Sequence, residues 1–197
     1  TVIIYVGDNG TSAKVIDQNV FNRSNSKGTL SEGGLRVPLV FSGAKVTRMN
    51  ARVDGLVNVT DLYATIGELI DSTASDQIYD SVSFATTLAQ AQDAPRSYNY
   101  SEFISDKETG WTVQQGQYKY IQSSADGGET TSLSLFNVDD DLNGENDLIE
   151  DNQYADIVDT LAAIGAEVRG EQAAALAIDI TDQILTKRSA NRAASVE

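Results

Sequence analysis

The 197-residue chain contains no cysteine and no histidine. Without cysteine there is no disulfide framework, no thiol nucleophile and no zinc-thiolate site. Without histidine, no imidazole is at hand as acid or base. Lysine and arginine are sparse as well, 14 against 29 aspartates and glutamates, for a net charge of −15. That excess argues against nucleic acid or an anionic membrane as partner and for a solubilised exterior. No apolar run approaches the ~20 residues of a membrane span, and no internal repeat is present. What the chain does hold is 41% hydrophobic residues, enough to bury a substantial core in one or two domains.

The most informative residues come early. Thr1 to Gly7 form a continuous β-branched and aromatic run, too short for a helix and of the kind buried on both faces of a parallel sheet. Its exit is then the carboxyl end of a central strand, where open α/β sheets place their ligands. Asp8-Asn9-Gly10 stands there. A carboxylate and an amide oxygen are hard ligands suited to calcium or magnesium rather than zinc, while the plainer alternative is an Asx-type turn in which the side chains bond nearby backbone.

Nineteen residues after Asp8, Lys27 opens the run Lys27-Gly28-Thr29-Leu30-Ser31-Glu32-Gly33-Gly34-Leu35-Arg36-Val37-Pro38. Its polar, glycine-containing surroundings put Lys27 on a loop. Gly33-Gly34 permits close backbone approach or unusual dihedrals, and Arg36 is spaced to pair with Glu32 and lock the loop. Val37 to Phe41 then re-enters as a strand, with Pro38 at its start, where a missing ladder donor is tolerated. A point cation on such a bracketed loop suits an oxyanion and the charge that develops on an ester oxygen as its bond breaks. Charge distribution agrees weakly: residues 1–50 carry net +3 and the remainder −18.

These two motifs resemble the second half of a sulfatase, in which Asp-Asn-Gly follows a core strand and a lysine precedes Glu-Gly-Gly-x-Arg-Val-Pro. Later segments keep the family's order. Leu56 to Ile66 resembles the next helix, with Thr60 as N-cap and Leu62, Ile66 and Leu69 on one face. Asp80 to Phe84 resembles the short segment that follows, Gly116 to Ile121 a strand of the C-terminal subdomain, and Leu135 to Val138 with Asp141, Glu145, Asp147 and Leu148 the motif after it, Leu142 standing where the family has proline.

The resemblance implies an α/β fold: residues 1–93 as the last part of an alkaline-phosphatase-like sulfatase sheet, and 94–197 as a small α+β subdomain with an antiparallel sheet and helices. It implies that Asp8 and Asn9 bind a divalent cation, calcium or alternatively magnesium, and that Lys27 contacts the sulfate. The implied substrate is a sulfated small molecule or carbohydrate. A phosphodiesterase or phosphonate hydrolase of the same superfamily, or a non-catalytic calcium-binding module, are the alternatives. The family's nucleophile, a formylglycine from Cys/Ser-x-Pro/Ala-x-Arg, has no counterpart here, so the chain reads as the C-terminal portion of an enzyme whose remaining groups lie upstream. Strands 1–7 and 37–41 are accordingly expected to need parallel partners from that N-terminal remainder. By resemblance the protein is periplasmic or extracellular.

Three further expectations concern the second half. Residues 97–138 alternate strand-like runs with turns such as Asp126-Gly127-Gly128, predicting a small antiparallel sheet. Ile157, Leu161, Ile164 and Val168 fall on one helix face, with Gly170 breaking that helix and Leu176, Ile180 and Ile184 on another. Asp139 to Glu150 fits the spacing of an EF-hand calcium loop. However, Thr131 to Val138 alternates like a strand instead of an entering helix, and Asn146 sits where an apolar residue normally pins the loop, so a solvated acidic turn is expected. Asn9, Asn22, Asn58 and Asn99 head glycosylation sequons that discriminate little, and an asparagine on a metal cannot also carry a glycan.

Overall fold

The computed structural model describes residues 1–72, 79–105, 108–125 and 130–176. Strand β1 (Val2–Val6) pairs with β2 (Leu39–Gly43), and a four-stranded sheet follows from β3 (Asn99–Ile104), β4 (Glu108–Gln115), β5 (Tyr118–Ala125) and β6 (Thr130–Asn137). Helix α1 (Glu32–Leu35) lies between β1 and β2 in sequence, α2 (Asp61–Leu69) and α3 (Ala85–Ala89) lie between the two sheets, and α4 (Ala155–Leu176) comes last.

The first sheet pairs its two strands with each other. β1 and β2 are each other's antiparallel partners, in the register Ile4↔Phe41 and Tyr5↔Val40, and no parallel partner occurs among the described residues. β-Branched residues favour extended backbone but do not specify strand direction. Direction is set here by the intervening segment, which folds back so that the Gly7 N–H donates to the Pro38 carbonyl at 3.0 Å. The two faces of the ribbon also differ. Val2, Ile4, Leu39 and Phe41 are half-buried, and Phe41 meets Phe84 edge-on at 5.4 Å. Ile3 (62% exposed), Tyr5 (63%) and Val40 (56%) leave the opposite face open.

Helix α2 is clamped at its first residue. The Asp61 carboxylate, almost fully buried, accepts from the backbone N–H of Asn58 (2.8 Å) and Val82 (2.9 Å), from Arg96 Nε (2.7 Å) and from Arg96 Nη2. Arg96 Nη2 also donates to the Asp80 carbonyl, and the hydrogen bond to Asp61 raises the guanidinium pKa further despite its burial. This clamp overrides the predicted cap and face. Thr60 has helical dihedrals and no capping bond, and the buried stripe is Asp61, Thr65 and Leu69, with Ile66 exposed. The helix is turned by the carboxylate that must be buried, since an isolated buried charge costs more than an exposed isoleucine.

The second sheet is the predicted antiparallel meander, in the order β3-β4-β5-β6. Gly116 (φ +56°) turns β4 into β5; Asp126-Gly127-Gly128 lies outside the described residues. Both faces of this sheet are covered. On one, Trp111, Val113, Tyr120 and Leu135 form a core with Leu161 of α4, and Ile157 and Ile164 pack against it, as their spacing predicted. On the other, Leu30 is buried beside Gly110 and Lys119 is buried against Glu32. Helix α4 runs through Gly170 to Leu176 instead of breaking, because an exposed mid-helix glycine costs only ~1 kcal/mol. Ile180 and Ile184 lie outside the described residues. No described helix is long and apolar enough to cross a membrane.

Gly165 of α4 faces Trp111 so closely that a Cβ there would collide with the indole ring. Since Trp111 is wedged between Tyr100 and Tyr120, the ring has no room to yield. Gly165→Ala is therefore expected to destabilise the sheet-helix core by about 1–3 kcal/mol. A lowered melting temperature together with a red-shifted emission from Trp111, the chain's single tryptophan, is the expected observation. Unchanged emission and stability would show that α4 shifts freely.

Candidate functional site

At the exit of β1 three backbone segments are stitched together. The Gly7 N–H bonds the Pro38 carbonyl (3.0 Å), the Gly10 N–H the Gly34 carbonyl (3.2 Å), and the Lys27 N–H the Thr11 carbonyl (2.9 Å). Asp8-Asn9 and Lys27, far apart in sequence, are thus held on adjoining loops. The approach depends on glycine. A Cβ on Gly10 would strike the Gly33 and Gly34 carbonyl oxygens, one on Gly33 the Asn25 carbonyl, and one on Gly34 the Thr29 carbonyl. None of these three glycines has a positive φ, so close backbone approach is the property used, not an unusual dihedral.

The side chains of Asp8, Asn9 and Lys27 are all exposed. Among the described residues none of the three has a side-chain hydrogen bond or ion pair, so the Asx-turn alternative is not what the structure contains. Among the described residues the Asp8 carboxylate, the Asn9 amide and the Lys27 ammonium are thus left uncommitted, on backbone segments that are hydrogen-bonded together. Their chemistry suits calcium or magnesium, but two donors are far short of the six to eight oxygens calcium takes. No cluster of three or more Asp, Glu, His or Cys suited to a metal occurs among the described residues. Further ligands for any cation here must come from water, substrate or other protein segments.

Behind these loops stands a buried ion pair that the sequence reading did not identify. Lys119 Nζ of β5 donates to Glu32 Oε1 at 2.8 Å, with side-chain exposures of 3% and 7%. The predicted Arg36–Glu32 pair also forms, at a looser 3.5 Å on Glu32 Oε2. Burial pushes the Lys119 ammonium below the usual lysine range, against the opposing pull of Glu32. The signal was present in Tyr118-Lys119-Tyr120: when both faces of a strand are covered, a lysine within it needs a buried acid. What the sequence could not say is that the second face would be covered by the Lys27–Pro38 loop.

The acidic segment 139–150 is a turn in the service of this arrangement. A strand, β6, precedes it, as expected, and no EF-hand helix does. Asp141 accepts from the Asn146 N–H (2.8 Å), and Asp147 accepts from Leu135 (2.9 Å) and Ile149 (3.0 Å). Asn143 reaches across to the site loops, accepting from the Asn22 N–H at 2.9 Å, while Asn25 donates to the Asn143 carbonyl. A cavity of about 120 Å³ lies between this turn and the Glu32–Lys119 pair, lined also by Phe136 and Leu142; Asp8, Asn9 and Lys27 do not line it.

The mixed α/β arrangement of two antiparallel sheets and helices matches the C-terminal part of sulfatase structures in fold. The structure of BT4656 in complex with its substrate D-glucosamine-2-N,6-O-disulfate is similar with a TM-score of 0.69 at 14% identity, over 86% of this chain and 34% of that one. The crystal structure of a candidate sulfatase from Bacteroides thetaiotaomicron is similar with a TM-score of 0.64 at 20% identity, over 95% of this chain and 38% of that one. The chain thus spans little more than a third of the length of the solved structures it matches. No protein-family model and no curated protein matches the sequence.

Proposed function

We propose that this chain is the C-terminal part of a sulfatase-like sulfuric ester hydrolase, in which Asp8 and Asn9 are ligands of a divalent cation and Lys27 holds the sulfate group. The observation that carries this reading is the backbone stitching of the Asp8-Asn9 strand end to the Lys27 loop, on a fold shared with sulfatase structures. Lys27 is a point charge without a side-chain partner among the described residues, suited to donating hydrogen bonds to a sulfate oxygen and to the ester oxygen as the S–O bond lengthens. A bound calcium or magnesium would supply Lewis-acid charge neutralisation at the same anion. The attacking oxygen comes from outside these residues, by resemblance a formylglycine in the N-terminal remainder of the enzyme. The open Ile3, Tyr5 and Val40 face is apolar surface against which that remainder would pack. The sulfated sugar in the BT4656 structure makes a sulfated carbohydrate the proposed substrate class, and such an enzyme would work in the periplasm or outside the cell.

The test is substrate selectivity in the complete enzyme. A sugar or aryl sulfate is expected to be hydrolysed, with activity lost on chelation and restored by calcium. Faster turnover of the matched phosphate diester or phosphonate would move the assignment to another hydrolase of the superfamily. Absence of turnover on either, with calcium still bound, would leave a non-catalytic module.

A further inference from the structure

We infer that Lys119 is a positioning residue: through Glu32 it fixes the loop to which the Asp8-Asn9 and Lys27 segments are stitched by backbone hydrogen bonds. Lys119 and Glu32 are 87 residues apart in sequence, and their pairing is the buried charge contact between the second sheet and the site loops. Glu32 opens α1, a helix of only four residues that cannot stand without outside support. The Gly34 carbonyl of that helix receives the Gly10 N–H, directly after Asp8-Asn9. Asn25 and Ser26, which precede Lys27, are buried in the same packing. A shift of α1 is therefore passed to Gly10 on one side and to Lys27 on the other. Arg36 cannot replace Lys119 in this role, because it reaches Glu32 from the solvent side and from within the same loop.

The inference rests on the proposed roles of Asp8, Asn9 and Lys27, and the test separates the two. Lys119→Met alone strands a buried carboxylate, so the decisive variant is the double change Glu32→Gln with Lys119→Met in the complete enzyme, which removes both charges and is expected to keep the global melting temperature. Its calcium affinity is expected to fall about 10- to 100-fold, the usual cost of losing a group that orients metal ligands. Amide exchange at Gly10 and Lys27 is expected to quicken by about tenfold as the loops open locally. Parent-like exchange at both amides would overturn the inference. Asp8→Ala in the parent tests the metal reading by itself: if calcium affinity survives it, that reading fails, while the exchange rates still decide the coupling. Should the double variant not fold, Lys119→Arg, which keeps the charge but moves the nitrogen, is read by the same exchange rates.

Discussion

Lys27→Ala in the complete enzyme is expected to lower kcat for a sulfate ester by about 10²–10³-fold, the scale of losing one preorganised group at a developing oxyanion. The fold is expected to survive the change. Lys27 is exposed, and its structural contribution is the backbone N–H bonded to the Thr11 carbonyl at 2.9 Å, which alanine retains. Activity should therefore fall with no change in melting temperature. Lys27→Arg is the informative companion: it keeps the positive charge but replaces a compact ammonium by a planar fork of different reach, and only partial recovery is expected. Steady-state kinetics on one sulfate ester read both, and near-parent turnover for the alanine variant would remove Lys27 from the chemistry.

Arg96→Met is expected to be the most damaging single change to stability. It leaves the Asp61 carboxylate buried with two backbone donors, Asn58 and Val82, and no counter-charge. Removing one partner of a buried pair costs about 3–5 kcal/mol, and at roughly 2–4 °C per kcal/mol for a chain of this size the melting temperature should drop by about 10 °C. Asp61→Leu combined with Arg96→Met should recover part of that loss, because no charge is then stranded, although the Asn58 and Val82 amides lose their acceptor. Thermal unfolding of the single and double variants against the parent decides it. If the single and double variants were equally unstable, packing around the start of α2 would matter more than its charge.

Much of the local structure was legible. The apolar run at 2–6, the alternation of 130–137 and the spacing of Ile157, Leu161 and Ile164 each announce their element, because strand and helix periods are written in neighbouring residues. The glycine run at 33–34 likewise announced a close approach or an unusual dihedral, and the fold uses the first. Other features were decided elsewhere. The direction of β1 against β2 depends on how some thirty intervening residues fold back, which no strand propensity encodes. The buried face of α2 turned because Asp61 had to meet Arg96, 35 residues on. Gly170 did not end its helix, since an exposed mid-helix glycine costs only ~1 kcal/mol.

The candidate site divides in the same way. Residue types and spacing alone determined that Asp8, Asn9 and Lys27 offer hard oxygens and a point cation in the order seen in sulfatases, because ligand chemistry belongs to the side chain. Tertiary structure decided that the backbone segments carrying them are stitched together, through three hydrogen bonds packed around glycines. It also decided that the loop is pinned by a lysine on the other sheet. A buried charge must find its partner wherever the fold brings one within about 3 Å, and for Glu32 that partner is Lys119, a pairing that no local pattern records.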